Sequence, residues 1–438
     1  MAKYQKYAEY KDSGVEWLGE IPIHWDLFAL KRSIDKCTNG FWGAEPDGIN
    51  DLCVLRVADF DRDNFKINLD KLTYRSVLPK EAESRLLKNG DLLIEKSGGG
   101  EKTLVGCVVQ FDKDFPAITS NFVAKMTPNS NMDSRFLTYS FAHLYSGRVN
   151  YPAIKQTTGI QNLDSEAYLM ENFCFPSKME QIKIANFLDH ETAKIDSLIE
   201  KQQQLIQLLK EKRQAVISHA VTKGLDPRVK MKDSGVEWLG QVPEHWKTLN
   251  LRWKINIASG EGISSNEIES EPELLKGIPV IGGNGVMGFT NKINTRSALA
   301  IGRVGALCGN IHLINYESWI TDNALKISQW HDFDSGYLVF LLRAARLNDM
   351  ANKSAQPLIT GEQVKSLRVV IPPIEEQKCI VSKIEDMFST FDRLIEKAES
   401  AIQLMQERRT ALISAAVTGK IDVQNWQNPT EAKMEFSA

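Results

Sequence analysis

An identical nine-residue segment occurs twice in this chain of 438 residues. Residues 11–19 and residues 232–240 both have the sequence KDSGVEWLG. The match extends to a proline, a histidine and a tryptophan at the same spacing, which are Pro22, His24 and Trp25 in the first copy and Pro243, His245 and Trp246 in the second. Solenoid repeats are about 20 to 50 residues long, so a much longer repeat indicates two domain-sized halves related by duplication.

The two halves also end alike but differ in their middles. An Ala-Val-Thr triplet begins at Ala220 and again at Ala416, and DSLIEK at 196–201 corresponds to DRLIEK at 392–397. Between these flanks only a skeleton is shared: IEKSG at 94–98 resembles IGRVG at 301–305, and TSN at 119–121 resembles TDN at 321–323. Two copies of one frame with divergent contents suggest two related ligands held at a fixed relative geometry.

Each half closes with a long stretch of helical periodicity. Residues 178–222 and 374–418 carry apolar residues at alternating steps of three and four, which predicts two long helices that pair as a coiled coil. Ser177 and Glu180 fit a capping box at the first helix start, and Gly224 with Pro227 fits its stop. The predicted helix–helix packing residues are Ile184, Leu188, Ile195, Leu198, Leu205, Leu209, Val216, Ile380, Ile384, Met387, Phe391, Leu394, Met405 and Leu412.

The remaining segments have short β-branched and aromatic runs separated by Gly, Asn and Asp, which is typical of strand-rich domains. Short connections favour antiparallel helices. We therefore predict an α+β fold with two strand-rich α/β domains at opposite ends of a long antiparallel two-helix coiled coil, related by a pseudo-twofold internal repeat. The expected boundaries are 1–175 and 225–371 for the two domains, 176–224 and 372–420 for the helices, and 421–438 for a C-terminal tail.

Composition narrows the function classes without naming one. The formal net charge is −3, so any DNA binding must come from local patches. No stretch approaches the roughly 18 to 20 apolar residues needed to cross a bilayer, and the first ten residues lack a signal-peptide core. The six cysteines include no pair at the two-residue spacing of zinc or redox sites. We expect a cytoplasmic protein without a membrane partner and without a metal site.

Several motifs approach catalytic patterns and fail in specific ways. The glycines at 283–288 fit G-x-G-x-x-G, but no helix pattern or later acidic residue follows, so a turn is favoured. At 97–103, Glu101 stands where a phosphate-binding loop needs glycine, and the loop is either a solvated turn or a DNA-backbone contact. The chain also lacks a nuclease Asp/Glu-x-Lys element after Pro46-Asp47 and a methyltransferase loop. We expect no catalytic residues in it.

Taken together, the two KDSGVEWLG copies, each followed by P-x-H-W, and the Glu-Gln pairs at 180–181 and 376–377 resemble type I restriction-modification specificity subunits. The resemblance covers essentially the whole chain. It implies a non-catalytic subunit in which two target-recognition domains each recognise half of a bipartite, asymmetric DNA sequence. The paired helices would set the gap between the half-sites and dock the modification subunits.

The same resemblance implies partners. These are double-stranded DNA, two modification subunits that methylate adenine, and restriction subunits that translocate and cut DNA in an ATP-dependent reaction. S-adenosylmethionine, ATP and Mg²⁺ are expected on those partner subunits, and no cofactor is expected on this chain.

Base contacts in such a protein come from Arg, Lys, Asn and Gln side chains that reach the major groove. The candidates are Arg56, Lys96, Lys102 and Asn121 in the first domain, and Asn284, Lys292, Arg303 and Asn310 in the second. Asn121 and Asn323 repeat in the alignment above, which favours a structural turn for both. Positions that differ between the copies suit base discrimination better.

Two other functions stay open on the residues alone. A protein-interaction scaffold with a coiled-coil rod would fit the acidic net charge, and a stand-alone DNA enzyme would require motifs that the chain lacks. His24 and His245 are expected to pack beside the neighbouring tryptophans. Charged residues along the helices, among them Arg213 and Arg409, are either solvated or form a docking surface for another subunit.

Overall fold

The computed structural model describes residues 4–98, 103–157, 159–272, 276–305, 308–351 and 357–428. The chain divides into two compact units. Unit 1 comprises Met1–Lys201 with Ala401–Ala438, and unit 2 comprises Gln202–Ser400. Each unit therefore contains one strand-rich segment together with part of each long helix.

Two long helices match the predicted stretches. The helices, in chain order, are α1 Pro79–Ala82, α2 Ser134–Ser146, α3 Ser165–Tyr168, α4 Lys178–Lys223, α5 Ser335–Ala344, α6 Gly361–Ser366 and α7 Ile374–Val417. Short 3-10 turns lie at Leu30–Ser33, Val57–Asp59, Tyr151–Ala153, Leu251–Trp253, Ser265–Glu267 and Leu347–Met350. The bounds of α4 and α7 confirm the helices predicted over 178–222 and 374–418.

Unit 1 is built on a four-stranded antiparallel sheet. Its strands are β1 Tyr10–Asp12, β2 Glu20–Pro22, β3 Asp26–Ala29, β4 Ile34–Asn39, β5 Asp51–Leu55, β6 Phe60–Asp61, β7 Lys66–Ile67, β8 Tyr74–Ser76, β9 Leu92–Glu95, β10 Ser97–Gly98, β11 Val108–Gln110, β12 Ala117–Thr119, β13 Val123–Pro128, β14 Ile154–Thr157, β15 Ile160–Leu163 and β16 Asn172–Phe175. The main sheet has the order β11-β9-β13-β4, and a second sheet has the order β12-β5-β8 with β12 parallel to β5.

Unit 2 repeats this topology. Its strands are β17 Met231–Asp233, β18 Gln241–Pro243, β19 Lys247–Asn250, β20 Ile255–Ser259, β21 Ile278–Gly282, β22 Gly285–Thr290, β23 Ala298–Gly302, β24 Ile311–Ile314, β25 Trp319–Ile320, β26 Ala324–Trp330 and β27 Arg368–Ile371. The order β24-β23-β26-β20 corresponds to β11-β9-β13-β4, and the parallel pair β21–β25 corresponds to β5–β12. The predicted internal repeat and the α+β class are confirmed.

The G-x-G-x-x-G segment spans a hairpin turn. Its first two residues form the turn between β21 and β22, and the remaining four lie in β22. Gly285 adopts a φ of 102°, which glycine tolerates without steric cost. The prediction of a turn instead of a nucleotide-binding loop is confirmed.

The repeated KDSGVEWLG segments hold the ends of the long helices. In unit 2, the Lys223 ammonium at the end of α4 donates to the carbonyl oxygens of Leu239 and Gln241. In unit 1, Lys420 makes the same contacts with Leu18 and Glu20, although it follows the other helix, α7. Unit 1 is thus closed by both ends of the described chain, and the Asp422 amide donates to the Gln5 carbonyl at 2.8 Å.

The Glu-Gln pair at the start of each long helix joins the helix to its unit. Buried Glu180 accepts hydrogen bonds from Tyr7 Oη at 2.7 Å and Trp25 Nε1 at 3.2 Å, and His24 Nε2 lies 3.2 Å away. Because the carboxylate faces these groups, the predicted capping box is only half formed: the Glu180 amide contacts Ser177 Oγ at 3.4 Å. The helix start is held by tertiary contacts that a local capping pattern does not contain.

Gln181 and Gln377 serve the short helices in the same way. Gln181 Oε1 accepts from the Asp133 amide at 2.9 Å, and Asp133 caps α2 through its own carboxylate. In unit 2, Gln377 Oε1 accepts from the Asp334 amide at 2.8 Å, and Asp334 caps α5. The repeated glutamine therefore ties a long helix to the first residue of a domain helix.

The histidines of the repeat also contact the glutamates. His245 Nε2 lies 2.9 Å from Glu376 Oε2, and His24 Nε2 lies 3.2 Å from Glu180 Oε2. The prediction that these histidines pack near tryptophan is confirmed for His245, whose ring is 6.3 Å from that of Trp246, whereas the His24 ring lies 5.5 Å from that of Tyr7. Their ion-pair geometry with the helix glutamates was not anticipated.

Within each unit, the two long helices run antiparallel. In unit 1, Lys183 contacts Gln424 and Asp196 contacts Arg409. Residue numbers therefore increase along one segment where they decrease along the other. The Arg409–Asp196 pair, at 3.0 Å, has its counterpart in unit 2 as Arg213–Asp392, at 2.5 Å. These arginines are therefore engaged between the helices.

The predicted packing residues divide into two groups. Ile184, Leu188, Ile195, Leu209, Ile380, Ile384, Phe391 and Leu412 are buried, and Val216, Met387 and Met405 are partly buried against the cores. Leu198, Leu205 and Leu394 are 49%, 41% and 41% exposed. These three are not among the residues of the described cores.

Among the described residues, no helix is both long enough and apolar enough to cross a membrane.

Candidate nucleic-acid interface

One end of the main sheet has the same backbone arrangement in both units. In unit 1, the Gly40 amide donates to the Val123 carbonyl at 3.1 Å, just beyond the end of β4. In unit 2, the Gly260 amide donates to Ala324 at 2.9 Å, just beyond the end of β20. The following amides, of Phe41 and Glu261, donate to the carbonyls of Thr119 and Ile320 at 2.8 and 3.0 Å. We call this region the strand-end cluster.

These hydrogen bonds correct the alignment made from the sequence. They place Thr119 opposite Ile320 and Ser120 opposite Thr321, so Asn121 corresponds to Asp322, and Asn323 corresponds to Phe122. The sequence comparison matched Asn121 with Asn323 and was wrong by one residue. It relied on the threonine and the asparagine that TSN and TDN share, and the backbone hydrogen bonds are not visible in the sequence. Asn121 and Asp322 therefore form a position that differs between the units.

Two candidate cations occupy one equivalent position in this cluster. The Lys96 amide donates to the Phe122 carbonyl at 2.8 Å, and the Arg303 amide donates to the Asn323 carbonyl at 3.0 Å. Lys96 Nζ donates to Asn39 Oδ1 at 2.8 Å, whereas Arg303 Nη1 donates to Ser259 Oγ at 3.1 Å. Asn39 and Ser259 are the last residues of β4 and β20.

Glycine is required where β4 and β20 end. A Cβ on Gly40 would lie 2.1 Å from the Ser120 carbonyl oxygen, and one on Gly260 would lie 2.2 Å from that of Thr321. Both distances are far shorter than a carbon–oxygen van der Waals contact. The glycines therefore let the strand end and the 119–123 or 320–324 turn approach closely, which brings the cation and its polar neighbour together.

The other candidate residues are engaged differently. Arg56 forms an ion pair with Asp59 at 2.8 Å, and Lys292 forms one with Glu267 at 2.5 Å, so carboxylates neutralise both cations. Asn284 Oδ1 accepts from Asn310 Nδ2 at 3.3 Å, which brings these two candidates together in unit 2. Lys102 lies outside the described residues.

An aromatic and cationic surface borders the cluster in unit 1. The Arg85 guanidinium lies 5.6 Å from the Phe41 ring centre, and its Nε donates to the Asn39 carbonyl at 3.2 Å. The neighbouring Phe122 is 51% exposed. Such surfaces suit nucleic acids, because exposed rings stack on bases and guanidinium groups attract phosphates.

A buried ion pair supports the cluster in unit 1 only. Glu95, with no exposed side-chain surface, lies 2.9 Å from Arg62, and burial raises the pKa of Glu95 although Arg62 opposes the shift. The same surroundings raise the pKa of Cys107 to about 12. Gly302 holds the equivalent position in unit 2, beside the Asn310 carbonyl. The two clusters therefore differ beneath the surface as well as on it.

Sequence reasoning missed Asn39, Ser259, Phe122 and Asp322. A usable signal was present, since each of the first two precedes a glycine at the end of a strand pattern. Their contacts with Lys96 and Arg303 span 57 and 44 residues along the chain, and no local pattern shows such contacts.

The described residues contain no group of three or more His, Cys, Asp or Glu side chains placed to hold a metal ion. The strand-end cluster presents side-chain donors and acceptors beside backbone carbonyls and, in unit 1, an exposed aromatic ring.

The sequence and the fold were compared with known proteins. A family model for the type I restriction modification DNA specificity domain matches residues 243–404. The putative type I restriction enzyme MjaX specificity subunit of Methanocaldococcus jannaschii is 22% identical, over 97% of this chain and 99% of that protein. The EcoKI specificity subunit of Escherichia coli K12 is 24% identical, over 81% of this chain and 80% of its own length.

Two solved structures share the fold. A chain from work on complex assembly and conformational transition of the type I R-M system has a TM-score of 0.69 at 14% identity, over 91% of this chain and 98% of that chain. The HsdS subunit from Thermoanaerobacter tengcongensis has a TM-score of 0.53 at 14% identity, over 92% and 98%. Residues 243–404 thus match the type I restriction modification DNA specificity domain, and most of the chain is similar in sequence to type I restriction enzyme specificity subunits.

Proposed function

We propose that this chain directs a type I restriction-modification complex to a bipartite DNA sequence, with unit 1 recognising one half-site and unit 2 the other. The strand-end cluster carries the proposal. Its backbone is equivalent in the two units, yet Lys96, Asn39 and Asn121 in one are replaced by Arg303, Ser259 and Asp322 in the other. A repeated frame with different donors and acceptors suits recognition of two different short sequences.

Catalysis then belongs to the partners. The complex would methylate adenine and cleave DNA with ATP, using two modification subunits and restriction subunits that hold S-adenosylmethionine, Mg²⁺ and ATP. Phosphate binding usually requires a basic surface, and this chain has a formal net charge of −3. Backbone contacts supplied largely by those partners would leave this subunit mainly with base recognition.

The long helices offer a repeated surface for the modification subunits. Leu198 and Leu404 in unit 1 are 49% and 66% exposed, and Leu208 and Leu394 in unit 2 are 60% and 41% exposed. Each pair takes one leucine from α4 and one from α7. Exposed leucines on charged helices favour a protein partner, and their occurrence in both units fits two copies of one partner.

The test is methylation mapping of DNA from a methyl-free host that expresses this chain with its modification subunit. We expect adenine methylation at a single bipartite sequence, together with sequence-specific binding by the purified complex. If both proteins are soluble and associated but no sequence is methylated, the proposal is wrong. Salt-independent binding of a protein ligand by such a complex, without affinity for DNA, would instead favour the scaffold function.

A further inference from the structure

We propose that Lys96 and Arg303 occupy a base-recognition position common to the two units, and that Arg303 recognises a guanine in the half-site of unit 2. The inference rests on the proposed function and adds the chemical identity of one recognised base. It follows from the backbone, the charge and the unused hydrogen-bonding capacity at this position.

The backbone of this residue is fixed on both sides. Besides the amide contacts described above, the Lys96 carbonyl accepts from the Leu163 amide at 2.8 Å, and the Arg303 carbonyl accepts from the Ile359 amide at 2.9 Å. The main chain of the residue is thus held by two distant segments in each unit. A side chain can change at such a position without a change in fold, which is the property that divergent specificity requires.

The charge at this position is left without a carboxylate partner among the described residues. Lys96 Nζ contacts an amide oxygen, and Arg303 Nη1 contacts the Ser259 hydroxyl and, at 3.5 Å, the Asp322 carbonyl. By contrast, Arg296, another arginine of unit 2, pairs with Glu317 at 3.0 Å. A cation fixed by neutral groups keeps its attraction for the electronegative major-groove edge of guanine.

Arg303 also has donors to spare. Among the described residues, Nη1 alone of its three nitrogens donates a hydrogen bond, and its buried Nε has no partner. Because Nε is buried, a ligand would meet the Nη1 and Nη2 groups at the end of the guanidinium. Guanidinium recognises guanine O6 and N7 through two parallel hydrogen bonds, and Ser259 would fix the orientation of this fork.

Unit 1 presents a different pattern at the same place. Lys96 offers a single ammonium group, and its contact with Asn39 Oδ1 leaves the Asn39 amide N–H₂ pointing away from that bond as a second donor. The two units therefore offer different donor geometries from one backbone position, as an asymmetric target requires.

The experiment uses the full complex with its modification subunit and compares wild type, Arg303→Gln, Arg303→Lys and Arg296→Gln. Methylation is mapped genome-wide and then measured on duplexes in which each guanine of the target is replaced in turn by 7-deazaguanine, which lacks the N7 acceptor. We expect Arg303→Gln to relax one base pair in a single half-site, with methylation of the original sequence reduced roughly ten- to hundredfold. Arg296→Gln should retain the wild-type pattern.

The deazaguanine series identifies the contact. Replacement of one guanine in the affected half-site by 7-deazaguanine should lower methylation by the wild-type complex. The same replacement should have little further effect on methylation by the Arg303→Gln complex. Arg303→Lys keeps the positive charge but lacks the paired donors of the guanidinium, so it should discriminate between bases less well than wild type. If the Arg303→Gln complex does not assemble, the Arg303→Lys complex still allows the specificity to be measured.

Three results would overturn the inference. Unchanged specificity in both Arg303 variants would do so while the proposed function stands. Uniform weakening on all sequences would assign Arg303 to a phosphate contact. Absence of methylation by the wild-type complex would remove the proposed function and this inference with it.

Discussion

Gly40 and Gly260 lie against main-chain atoms of a neighbouring segment, so an added methyl group would clash with carbonyl oxygens. The first prediction is that Gly40→Ala or Gly260→Ala destabilises its unit by about 3 kcal/mol or more, because overpacking against main-chain oxygens forces the strand end and the turn apart. Urea unfolding of the whole chain measures the effect.

The matched control is Gly262→Ala. Its Cβ would meet nothing closer than the Asp322 carboxylate, at 3.9 Å, and its φ is outside the left-handed region. Equal stability of the Gly260 and Gly262 variants would show that the close approach at the strand end is not required.

His143 gives a pH-dependent prediction. Burial beside Trp17 and Phe173 lowers the pKa of His143 to about 4, from an ordinary value of 6.5. The unfolded chain therefore binds a proton between these values while the folded chain does not, so stability is complete above pH 6.5 and is lost as the pH falls towards 4. The loss amounts to about 3 kcal/mol.

The measurement is urea unfolding between pH 7.5 and pH 4.5. His143→Phe should reduce the dependence on pH across this interval, and His331→Gln, at an exposed histidine of unit 2, is the control for loss of an imidazole. A wild-type slope retained by the His143 variant would place the titrating group elsewhere.

Single residues also show where inference from the sequence stops. Arg303 and Lys96 were chosen by residue type, and the structure places them at equivalent positions beside neutral polar partners. Arg56 and Lys292 were chosen by the same residue types, yet Asp59 and Glu267 neutralise them. Composition and spacing give the residue type, whereas the nearest carboxylate is a property of the tertiary fold.

The helix pair makes the third prediction through its two arginine–aspartate contacts. The side chains of Arg409 and Asp196 are 9% and 28% exposed, against 36% and 59% for Arg213 and Asp392. Solvent screens the second pair more, so double-mutant cycles should give a coupling energy of about 1–3 kcal/mol for the first and about 0.2–1 kcal/mol for the second. Equal coupling energies would mean that burial does not control the strength of these pairs.

The fourth prediction concerns the exposed leucines of the helices. Leu198→Asp with Leu404→Asp, or Leu208→Asp with Leu394→Asp, should weaken assembly with the modification subunit at least tenfold without unfolding the chain, because a buried carboxylate at an interface is costly. Light scattering with titration of the partner measures it. Leu225→Asp, at a leucine of 45% exposure beyond the end of α4, is the control. Unaltered assembly in both double variants would move the docking surface elsewhere.

At the level of elements, periodicity predicted α4 and α7 almost to the residue, because a seam repeated over many turns is a strong signal. The start of α4 was described less well. Glu180 and Ser177 match a local capping pattern, but the Glu180 carboxylate accepts hydrogen bonds from the buried side chains of Tyr7 and Trp25 instead. Strand pairing in the variable segments was beyond reach for the same reason, since distant residues decide the register.

For the whole molecule, the fifth prediction is that helix length sets the gap between half-sites. Insertion of seven residues after Gln204 in α4, with seven more after Ser400 in α7, keeps the heptad seam and lengthens each helix by about 10 Å. DNA rises about 3.4 Å per base pair, so the preferred gap should grow by about three base pairs. Methylation mapping reports the gap directly, and an unchanged gap would exclude the helices as the spacer.

The closure of unit 1 by both chain ends has a consequence for synthesis on the ribosome. Unit 2 consists of consecutive residues, so all its contacts are available once residue 400 has emerged. The core of unit 1 also contains Leu412, Ile413, Val417, Ile421 and Val423. The N-terminal segment of unit 1 therefore lacks part of its core until residues 412–423 have been made, which is after unit 2 is complete. The half of the chain that is made first is the half that is completed last.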